Sequence, residues 1–328
     1  MHWTTSFDIP EGDSKITHRL PILSIGSCFS TMIGDKLAER KFTILNNPFG
    51  TIFNPVSIAQ LLEDSALEMP INTDLMLVRD GLYLHFGMHS DVVAYSQDSL
   101  ERLIHKKQQQ IRQTLEQASH LLMTFGTAWV YEFGEKAQIV ANCHKQPADL
   151  FEKRLLHPDE IQKTCSSFFN ILREINPSIK VLLAVSPVRH TKDGIPENQL
   201  SKSVLRLAAH DLTETYNFVT YFPSYEIMVD ELRDYRFYKE DLIHPSIQAE
   251  DYIWEKFKAA WIDPKSYPLI QEFEGIRRDL AHRPFNPESP GHLKFLDMLQ
   301  RKVEKYSRDY DFSKELDLLR KLTQYRGK

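Results

Sequence analysis

Wholly apolar segments alternate with amphipathic segments along most of the chain, and this alternation limits the possible folds more than any other feature. The apolar segments include PILSIGS (21–27), HLLMTFG (120–126) and KVLLAVSP (180–187). Strands that read as continuous apolar runs are buried on both faces, which is typical of a parallel sheet covered by helices. We therefore predict a three-layer α/β/α domain built on a parallel sheet, over about residues 18–262.

Several local signals predict where helices begin. Pro55 is predicted as the first residue of an early helix and Pro245 as the first residue of a late helix, because the fixed φ of proline suits that position. Asp98 and Glu101 have the spacing of a capping box. The helix predicted after them carries apolar residues at helical spacing, namely Leu100, Leu103, Ile104, Ile111 and Leu115.

Two β-hairpins are predicted as excursions from the main sheet. Asp80-Gly81 joins the two halves of LMLVRDGLYLHF, and this dipeptide tolerates the positive φ angles of a type I′ turn. A second hairpin pairs AWVYEF with AQIVANCH. The last part of the chain has proline-rich joints and helical patterns but no strand signal. We therefore divide the chain into an α/β domain, residues 1–262, and a helical C-terminal extension, residues 263–328.

Charge and hydropathy patterning exclude several classes of partner. The formal net charge of the 328-residue chain is -5, which disfavours nucleic acid and an anionic membrane surface. No cationic flank precedes an apolar run at the N-terminus, and no stretch has the length of a spanning helix. These features predict a cytoplasmic protein that does not bind membranes. Nothing in the sequence sets an oligomeric state.

Cysteine and histidine spacing argues against a metal site. The chain has three cysteines, which are Cys28, Cys143 and Cys165. They are widely separated, with no C-x-x-C pair, so we predict three free thiols rather than disulfides or a thiolate zinc site. His144, His190 and His244 have no carboxylate or thiolate around them at ligand-like spacing. We predict no metal and no cofactor.

The first apolar strand breaks at Gly26 and leads directly into a helical pattern. Ligands of open parallel sheets bind beyond the carboxyl ends of the strands, which is where this turn lies. The free N–H groups of a helix N-terminus stabilise anions there, and we expect them to lower the pKa of the Cys28 thiol. The competing interpretation is a simple helix cap followed by a buried thiol that performs no chemistry.

A second candidate segment is YKEDLIHPS, in which Asp241 and His244 lie three residues apart. In such a turn the carboxylate can reach the imidazole, fix its tautomer and leave the other ring nitrogen facing a nucleophile. The competing interpretation is that Asp241 caps the last helix of the domain and His244 only precedes a proline.

Together, these segments resemble the layout of SGNH or GDSL-type hydrolases, which have a nucleophile near the start and an Asp-x-x-His near the end. The chain resembles the GSCFA family, a branch related to those hydrolases, more closely. The resemblance rests on six motifs in order, which are GSCFS (26–30), NPFGTIFNP (47–55), MTFGTAWVY (123–131), NCHKQP (142–147), SPVRHTKDG (186–194) and DLIHPS (241–246). It implies a flavodoxin-like, SGNH-hydrolase-like sheet of five parallel strands and a hydrolase that cleaves acyl or acetyl esters, often on carbohydrates.

The resemblance leaves the nucleophile open. Aligned with the Gly-Asp-Ser block of those hydrolases without a gap, Gly26-Ser27-Cys28 places Cys28 at the nucleophile position. A shift of one residue places Ser27 there and loses the glycine match. Either nucleophile would use His244 as its base, with Asp241 orienting the ring.

The oxyanion hole departs from the pattern that the resemblance implies. Gly50 fits the glycine donor of the second block, whereas Gly126-Thr127-Ala128 has alanine where an asparagine donor is expected. Losing one such donor typically costs about 3 kcal/mol, so an enzyme needs a replacement. The candidate replacements are Asn142, His144 and, less favourably, Thr127.

Arg189 and His190 follow the fourth parallel strand and are predicted to face the substrate. The arginine suits a carboxylate or a phosphate, and the competing interpretation is a surface salt bridge. The sequence therefore predicts an esterase acting on a small-molecule or carbohydrate ester. The alternative is a catalytically inactive protein that binds a carbohydrate or another small molecule on the same fold.

Overall fold

The described structure has ten strands, and five of them form a parallel central sheet. This is a computed structural model, and it describes residues 4–324. The strands are β1 (Ile22–Gly26), β2 (Ile44–Asn46), β3 (Met76–Arg79), β4 (Leu82–His85), β5 (His120–Phe125), β6 (Trp129–Phe133), β7 (Gln138–Val140), β8 (Phe151–Leu155), β9 (Lys180–Val185) and β10 (Val219–Phe222). The central sheet has the order β10-β9-β5-β1-β2, with every neighbouring pair parallel. The predicted α/β class and five-stranded parallel sheet are confirmed.

Helices alternate with strands up to β10, and after β10 the described chain contains only helices and loops. They are α1 (Cys28–Glu39), α2 (Pro55–Ala66), α3 (Gln97–Gln117), α4 (Pro158–Ile175), α5 (Ile195–Thr215), the single turn α6 (Ser224–Glu226), α7 (Ile247–Trp261), α8 (Tyr267–Ala281), α9 (Pro290–Tyr306) and α10 (Ser313–Gln324). Pro55 begins α2, as predicted. Among the described residues, no helix is both long and apolar enough to cross a membrane.

The sheet's register sets where its carboxyl ends meet. Gly26 at the end of β1 lies opposite Thr124 of β5, and Phe125 of β5 lies opposite Val185 of β9. The β1, β5 and β9 residues that face one another are almost completely buried, because helices cover both faces. The residues that follow these three strands therefore lie at one edge of the sheet.

The two excursions form small antiparallel sheets. Asp80 and Gly81 have φ angles of 52° and 75°, so the β3–β4 hairpin has the predicted positive-φ turn. The second excursion is a three-stranded sheet of order β7-β6-β8. Its third strand, β8, was not predicted, because FEKRL is mostly charged and only partly buried and so lacks the alternating apolar pattern.

Two predicted helix starts are wrong. Ser96 caps α3 by accepting a hydrogen bond from the Ser99 amide, so the Asp98–Glu101 capping box does not form. The late helix α7 begins after a Ser246 cap rather than at Pro245, which instead forms an isolated β-bridge with Tyr238. In both places a serine side chain satisfies the first free amides of the helix.

The chain divides into two units, which are described separately. The first contains residues up to Lys36 and Thr43–Ile262, and the second contains Leu37–Phe42 and Asp263–Lys328. A continuous apolar core lies in the first unit, and a smaller one in the second includes Phe273, Leu299 and Phe312. The first three residues of the predicted α/β domain and the last four of the predicted extension lie outside the described range.

Candidate active site

The turn after β1 requires glycine at position 26. Gly26 has a φ of 142°, and a Cβ placed there would lie 2.2 Å from the Thr124 carbonyl oxygen. Its amide donates to Asn47 Oδ1 at 2.8 Å, and the next amide, that of Ser27, donates to Thr124 O at 3.1 Å. The turn is therefore held by a neighbouring strand and by the loop after β2.

Ser27 and Cys28 occupy different environments. Ser27 is fully buried, and its Oγ accepts a hydrogen bond from the Phe29 amide at 3.3 Å, as a helix cap does. Cys28 is the first residue of α1, is partly exposed and has a free thiol. Of these two neighbours at the carboxyl edge of the sheet, only Cys28 is partly exposed.

The ionisation of Cys28 differs from the expectation. Burial raises the pKa of this thiol, whereas the helix N-terminus was expected to lower it. Lys202, the amides of Cys28 and Phe29, and Lys239 all act to lower the pKa, but the loss of water around the sulfur outweighs them. In the resting protein Cys28 is a thiol with nearby groups that favour its thiolate.

Lys202 is a site residue that was not predicted from the sequence. It lies on α5, is almost completely buried, and donates from Nζ to the carbonyl oxygens of Gly126 and Ser186, each at 2.7 Å. Burial lowers its pKa to about 7, and the charge of Cys28 acts in the opposite direction. Within residues 4–324, no carboxylate forms an ion pair with it.

The sequence does contain a signal for Lys202. The buried residues of α5 recur at helical spacing, and they are Asn198, Ser201, Lys202, Leu205, Ala208, Ala209 and Leu212. A lysine on the inward stripe of an amphipathic helix is unusual, because lysine is almost never fully buried unless its charge is compensated. A lysine at such a position is therefore a signal, readable in the sequence, that Lys202 has a functional or structural role.

The Asp241–His244 pair forms as predicted within one turn. Asp241 Oδ2 lies 2.7 Å from His244 Nδ1, while Oδ1 accepts from the amides of Ile243 and His244 at 2.9 Å each. The His244 amide first, then the Ile243 amide and the imidazole, lower the pKa of Asp241 to about 2. The carboxylate therefore stays ionised in neutral solution, where it can orient the ring.

Arg189 ties this turn to the end of β9, and one further hydrogen bond closes the turn itself. Arg189, just after β9, donates to the carbonyl oxygen of Leu242, and the Lys239 amide donates to the carbonyl oxygen of His244 at 2.8 Å. The Arg189 guanidinium also stacks 4.8 Å from the centre of the Tyr238 ring. Arg189 thus supports the histidine turn, and no salt bridge is found for it among the described residues. Its predicted contact with a carboxylate or phosphate of a substrate stays a prediction.

His190 lies between the two halves of the site. Burial first, and then the charges of Lys202 and His244, lower its pKa to about 4. Its ring contacts Phe53 edge-on at 5.1 Å, and its buried Nε2 has no hydrogen-bond partner in the part of the chain described. The charges of both the Lys202 and the His244 regions therefore act on His190.

The structure does not join the imidazole to a nucleophile. Neither Ser27 Oγ nor Cys28 Sγ is hydrogen-bonded to the His244 ring, all three residues being within the described range. The His244 and Asp241 side chains expose 43% and 45% of their surface. The two halves of the site share the carboxyl edge without direct contact.

The predicted oxyanion donors are already engaged. The Gly50 amide donates to Asn47 O at 2.8 Å, and the amides of Gly126 and Thr127 donate to Phe53 O at 2.7 and 3.2 Å. The Thr127 hydroxyl lies 3.1 Å from Ser201 Oγ. Each of these groups stabilises a loop in this conformation.

Asn142 and His144 belong to the excursions and not to the Cys28 turn. Asn142 accepts from the His144 amide at 2.8 Å and donates to Ser90 at 3.4 Å. The buried His144 ring contacts Ser90 Oγ at 3.1 Å and the carbonyl oxygen of His85 at 2.9 Å, and burial lowers its pKa. Neither side chain contacts Cys28 or His244, so neither supplies the missing donor here.

A groove of about 830 Å³ opens beside Lys202, between α5 and the segment around α6. Tyr225, Tyr238, Arg189 and Asn198 are among its lining residues. Aromatic rings together with polar groups suit a small organic ligand. No group of three or more His, Cys, Asp or Glu side chains in residues 4–324 is arranged to hold a metal ion.

Fold and site together define an α/β protein with a thiol after its first parallel strand and an Asp-His pair before a late helix. The chain matches the GSCFA family over residues 21–257 and the GSCFA domain protein, C-terminal domain, over residues 273–324. It belongs to the GSCFA family, which confirms the family expected from the sequence. Among solved structures it is similar to a carbohydrate esterase family 3 from Talaromyces cellulolyticus, at 9% identity and a TM-score of 0.34, over 77% of this chain and 99% of that chain. No curated protein matches it.

Proposed function

We propose that the protein is an ester hydrolase of the SGNH/GDSL type, with Cys28 as nucleophile, His244 as general acid and base, and Asp241 as the group that orients the imidazole. The pairing of an ionised Asp241 with His244 Nδ1 carries this proposal. A carboxylate in that position accepts the Nδ1 proton, which leaves Nε2 as the base.

The position of Cys28 in the sheet supports the same function. Numbered along the chain, the five parallel strands have the order 2-1-3-4-5, which is that of flavodoxin-like sheets. The order reverses between β1 and β5, and ligands of such sheets bind at the carboxyl ends of these strands. Cys28 follows β1 there, and its thiol is accessible while the Ser27 hydroxyl caps α1.

The reaction would proceed in two balanced steps. His244 Nε2 takes the thiol proton, and the sulfur attacks the ester carbonyl carbon to form a C–S bond. The C–O bond to the alcohol then breaks, and the imidazolium returns its proton to the departing alkoxide. Water attacks the thioester with His244 as base, which releases the carboxylic acid and restores the thiol. Catalytic hydrogen bonds often form only with substrate bound, so the ring and the sulfur would approach each other at that stage.

The substrate class is proposed from the family resemblance and the groove. Acyl or acetyl esters, possibly on a carbohydrate, are the substrates that the resemblance implies. Tyr225 and Tyr238 offer ring faces of the kind that pack against sugars. The cytoplasmic location remains a prediction from the sequence.

Hydrolysis of p-nitrophenyl acetate and of acetylated sugars tests the function. We expect His244→Ala to lower kcat/KM by about 100-fold to 10,000-fold, because it removes the general acid and base. The matched control is His105→Ala, which removes an exposed imidazole from α3. Equal activity in both variants would contradict the proposal.

One observation favours the alternative, a catalytically inactive binding protein. The amides of Gly50, Gly126 and Thr127 are all bonded to backbone carbonyl oxygens, which leaves none of them free to hold an oxyanion. If no ester is hydrolysed but acetylated sugars raise the melting temperature of the wild type, the binding function is the correct one.

A further inference from the structure

Lys202 is a buried lysine with an incomplete set of partners. An ammonium has three donors, and two of them bond to the carbonyl oxygens of Gly126 and Ser186. Among the described residues, no acceptor takes the third, and the Tyr225 ring centre is 5.9 Å from Nζ. Burying a charge in this way is costly unless an opposite charge compensates it.

The strand register places this ammonium at the strand end next to the one that leads into Cys28. The Ser27 amide bonds to Thr124 O, and the Gly126 carbonyl that holds Lys202 is two residues further along the same strand end. Cys28 is the residue after Ser27 on the adjacent strand end. The thiol and the ammonium therefore lie at neighbouring ends of β1 and β5.

Among the described residues, no carboxylate pairs with the lysine. The titratable and charged groups around the pair are His190 after β9, Tyr225 on α6, Arg189, and Lys239 before the histidine turn. The nearby carboxylates are paired with other cations: Glu226 and Asp230 with arginines, and Asp193, whose charge acts on His190, with Lys153. Because these groups are cationic, neutral or already paired, the Cys28 sulfur is the group in the described part of the chain that can carry the opposite charge.

We propose that Lys202 is a positioning residue for Cys28, and that its buried ammonium stabilises the thiolate as the thiol loses its proton. Its positive charge would also favour a reacting oxyanion at this strand end, where the alanine at position 128 has no side-chain donor. The inference rests on the proposed role of Cys28 as nucleophile, but it concerns the thiol itself and is tested without an ester substrate. The competing role is purely structural, with Lys202 fastening the ends of β5 and β9.

Two titrations separate these roles. In the first, protein labelled with ¹³C at the lysine side chains is titrated by NMR, in the wild type and in Cys28→Ala. Coupling between two sites is reciprocal, and an ammonium–thiolate form of the pair raises the pKa of Lys202, so removing the sulfur should lower that pKa. Cys28 is partly exposed, so its truncation is compatible with folding. Identical Lys202 titration curves would overturn the proposal.

The second titration follows alkylation of Cys28 by iodoacetamide against pH, in a Cys143→Ser background and with mass spectrometry to locate the label. We expect Lys202→Met to move the midpoint to higher pH by about one unit, which slows alkylation below the midpoint about tenfold. Lys202→Arg keeps the charge and should move the midpoint less. A folded Lys202→Met protein with the wild-type profile would leave Lys202 with only its structural role.

These measurements are independent of the proposed function. A shifted alkylation profile in a protein that hydrolyses no ester would keep the Cys28–Lys202 pair and remove the esterase. Ester hydrolysis with unchanged titrations would do the reverse.

Discussion

The two halves of the candidate site are built in opposite ways. The Cys28 turn is buried, and its bonds reach across the chain, from Gly26 to Asn47 and from Ser27 to Thr124. The Asp241–His244 turn is half exposed, and the bonds that shape it lie within four residues. The first depends on the sheet, whereas the second is shaped mainly by local bonds, with one long-range support from Arg189.

Because of this difference, substitutions in the two halves should affect stability and chemistry to different extents. Changes near Cys28 disturb a packed strand end, where a small displacement costs stability. Changes in the histidine turn meet solvent, so they should affect chemistry more than folding. Four predictions test this contrast, beginning with the largest expected effect.

Cys28→Ala is expected to lower ester hydrolysis by about 1,000-fold or more, because it removes the proposed nucleophile. Ser27→Ala should lower it by less than about tenfold, while the loss of the helix cap costs about 1 kcal/mol of stability. Steady-state kinetics and urea denaturation measure the two effects, and Cys143→Ala is the matched thiol control. Full activity in Cys28→Ala would transfer the nucleophile to Ser27.

Gly26→Ala is expected to destabilise the first unit by about 3 kcal/mol or more. The substitution combines a strained φ of 142° with a Cβ placed 2.2 Å from a backbone oxygen of β5. Urea denaturation provides the measurement. Gly134→Ala is the control, because Gly134 also has a positive φ, of 70°, but no neighbouring atom would meet its Cβ. Equal losses would show that backbone strain, and not the close approach to β5, determines the cost.

The stability contributed by the two halves should also depend on pH in two different ranges, one acidic and one neutral to alkaline. The folded pKa of Asp241 is lowered from 3.8 to about 2, so its stabilising contribution is present above the first value and lost as the pH falls towards the second. The folded pKa of Lys202 is lowered from 10.5 to about 7, so the unfolded chain binds the extra proton in that interval. The stability contributed at Lys202 should therefore rise with pH across that interval.

Urea denaturation over a pH series checks both windows. The difference between wild type and Asp241→Asn should disappear in acid, and the difference between wild type and Lys202→Met should change between neutral and alkaline pH. A flat Lys202→Met difference would mean that Lys202 is not buried as a charge.

Leu242→Gly should have the smallest effect, within about 1 kcal/mol of the wild type. Leu242 has a φ of 57°, which glycine adopts without strain, but glycine also gains more freedom in the unfolded chain. The exposed turn should tolerate this exchange with little loss of stability. A loss comparable to that of Gly26→Ala would show that the histidine turn is as tightly packed as the cysteine turn.

Strands and helices could be predicted from the apolar sequence pattern wherever the faces that carry this pattern are completely buried. β1, β5 and β9 are continuous apolar runs because both of their faces are covered. β8 was missed because its sequence, FEKRL, lies in a partly exposed sheet where charged residues are tolerated. The start of α3 was misplaced because Ser96 competed successfully with Asp98 for the cap.

Site residues were predictable to the extent that their partners are local. Asp241 and His244 are three residues apart, so the spacing alone predicted the pair. The oxyanion donors were not predictable, because the partner of the Gly126 amide, Phe53 O, is distant in the chain. The pKa of Cys28 was expected to fall because a helix N-terminus is visible in the sequence, whereas the burial that raises the pKa is not.

The sequence by itself determined the parallel sheet, the glycine turn after its first strand, the family and the Asp-His pair, because hydrophobic periodicity and short-range hydrogen bonds are properties of neighbouring residues. Only the tertiary structure decided that Ser27 is buried while Cys28 is partly exposed, and that the buried Lys202 bonds to the carbonyl oxygens of Gly126 and Ser186. Burial and long-range contacts depend on which strand ends meet, and the register of the folded sheet sets that.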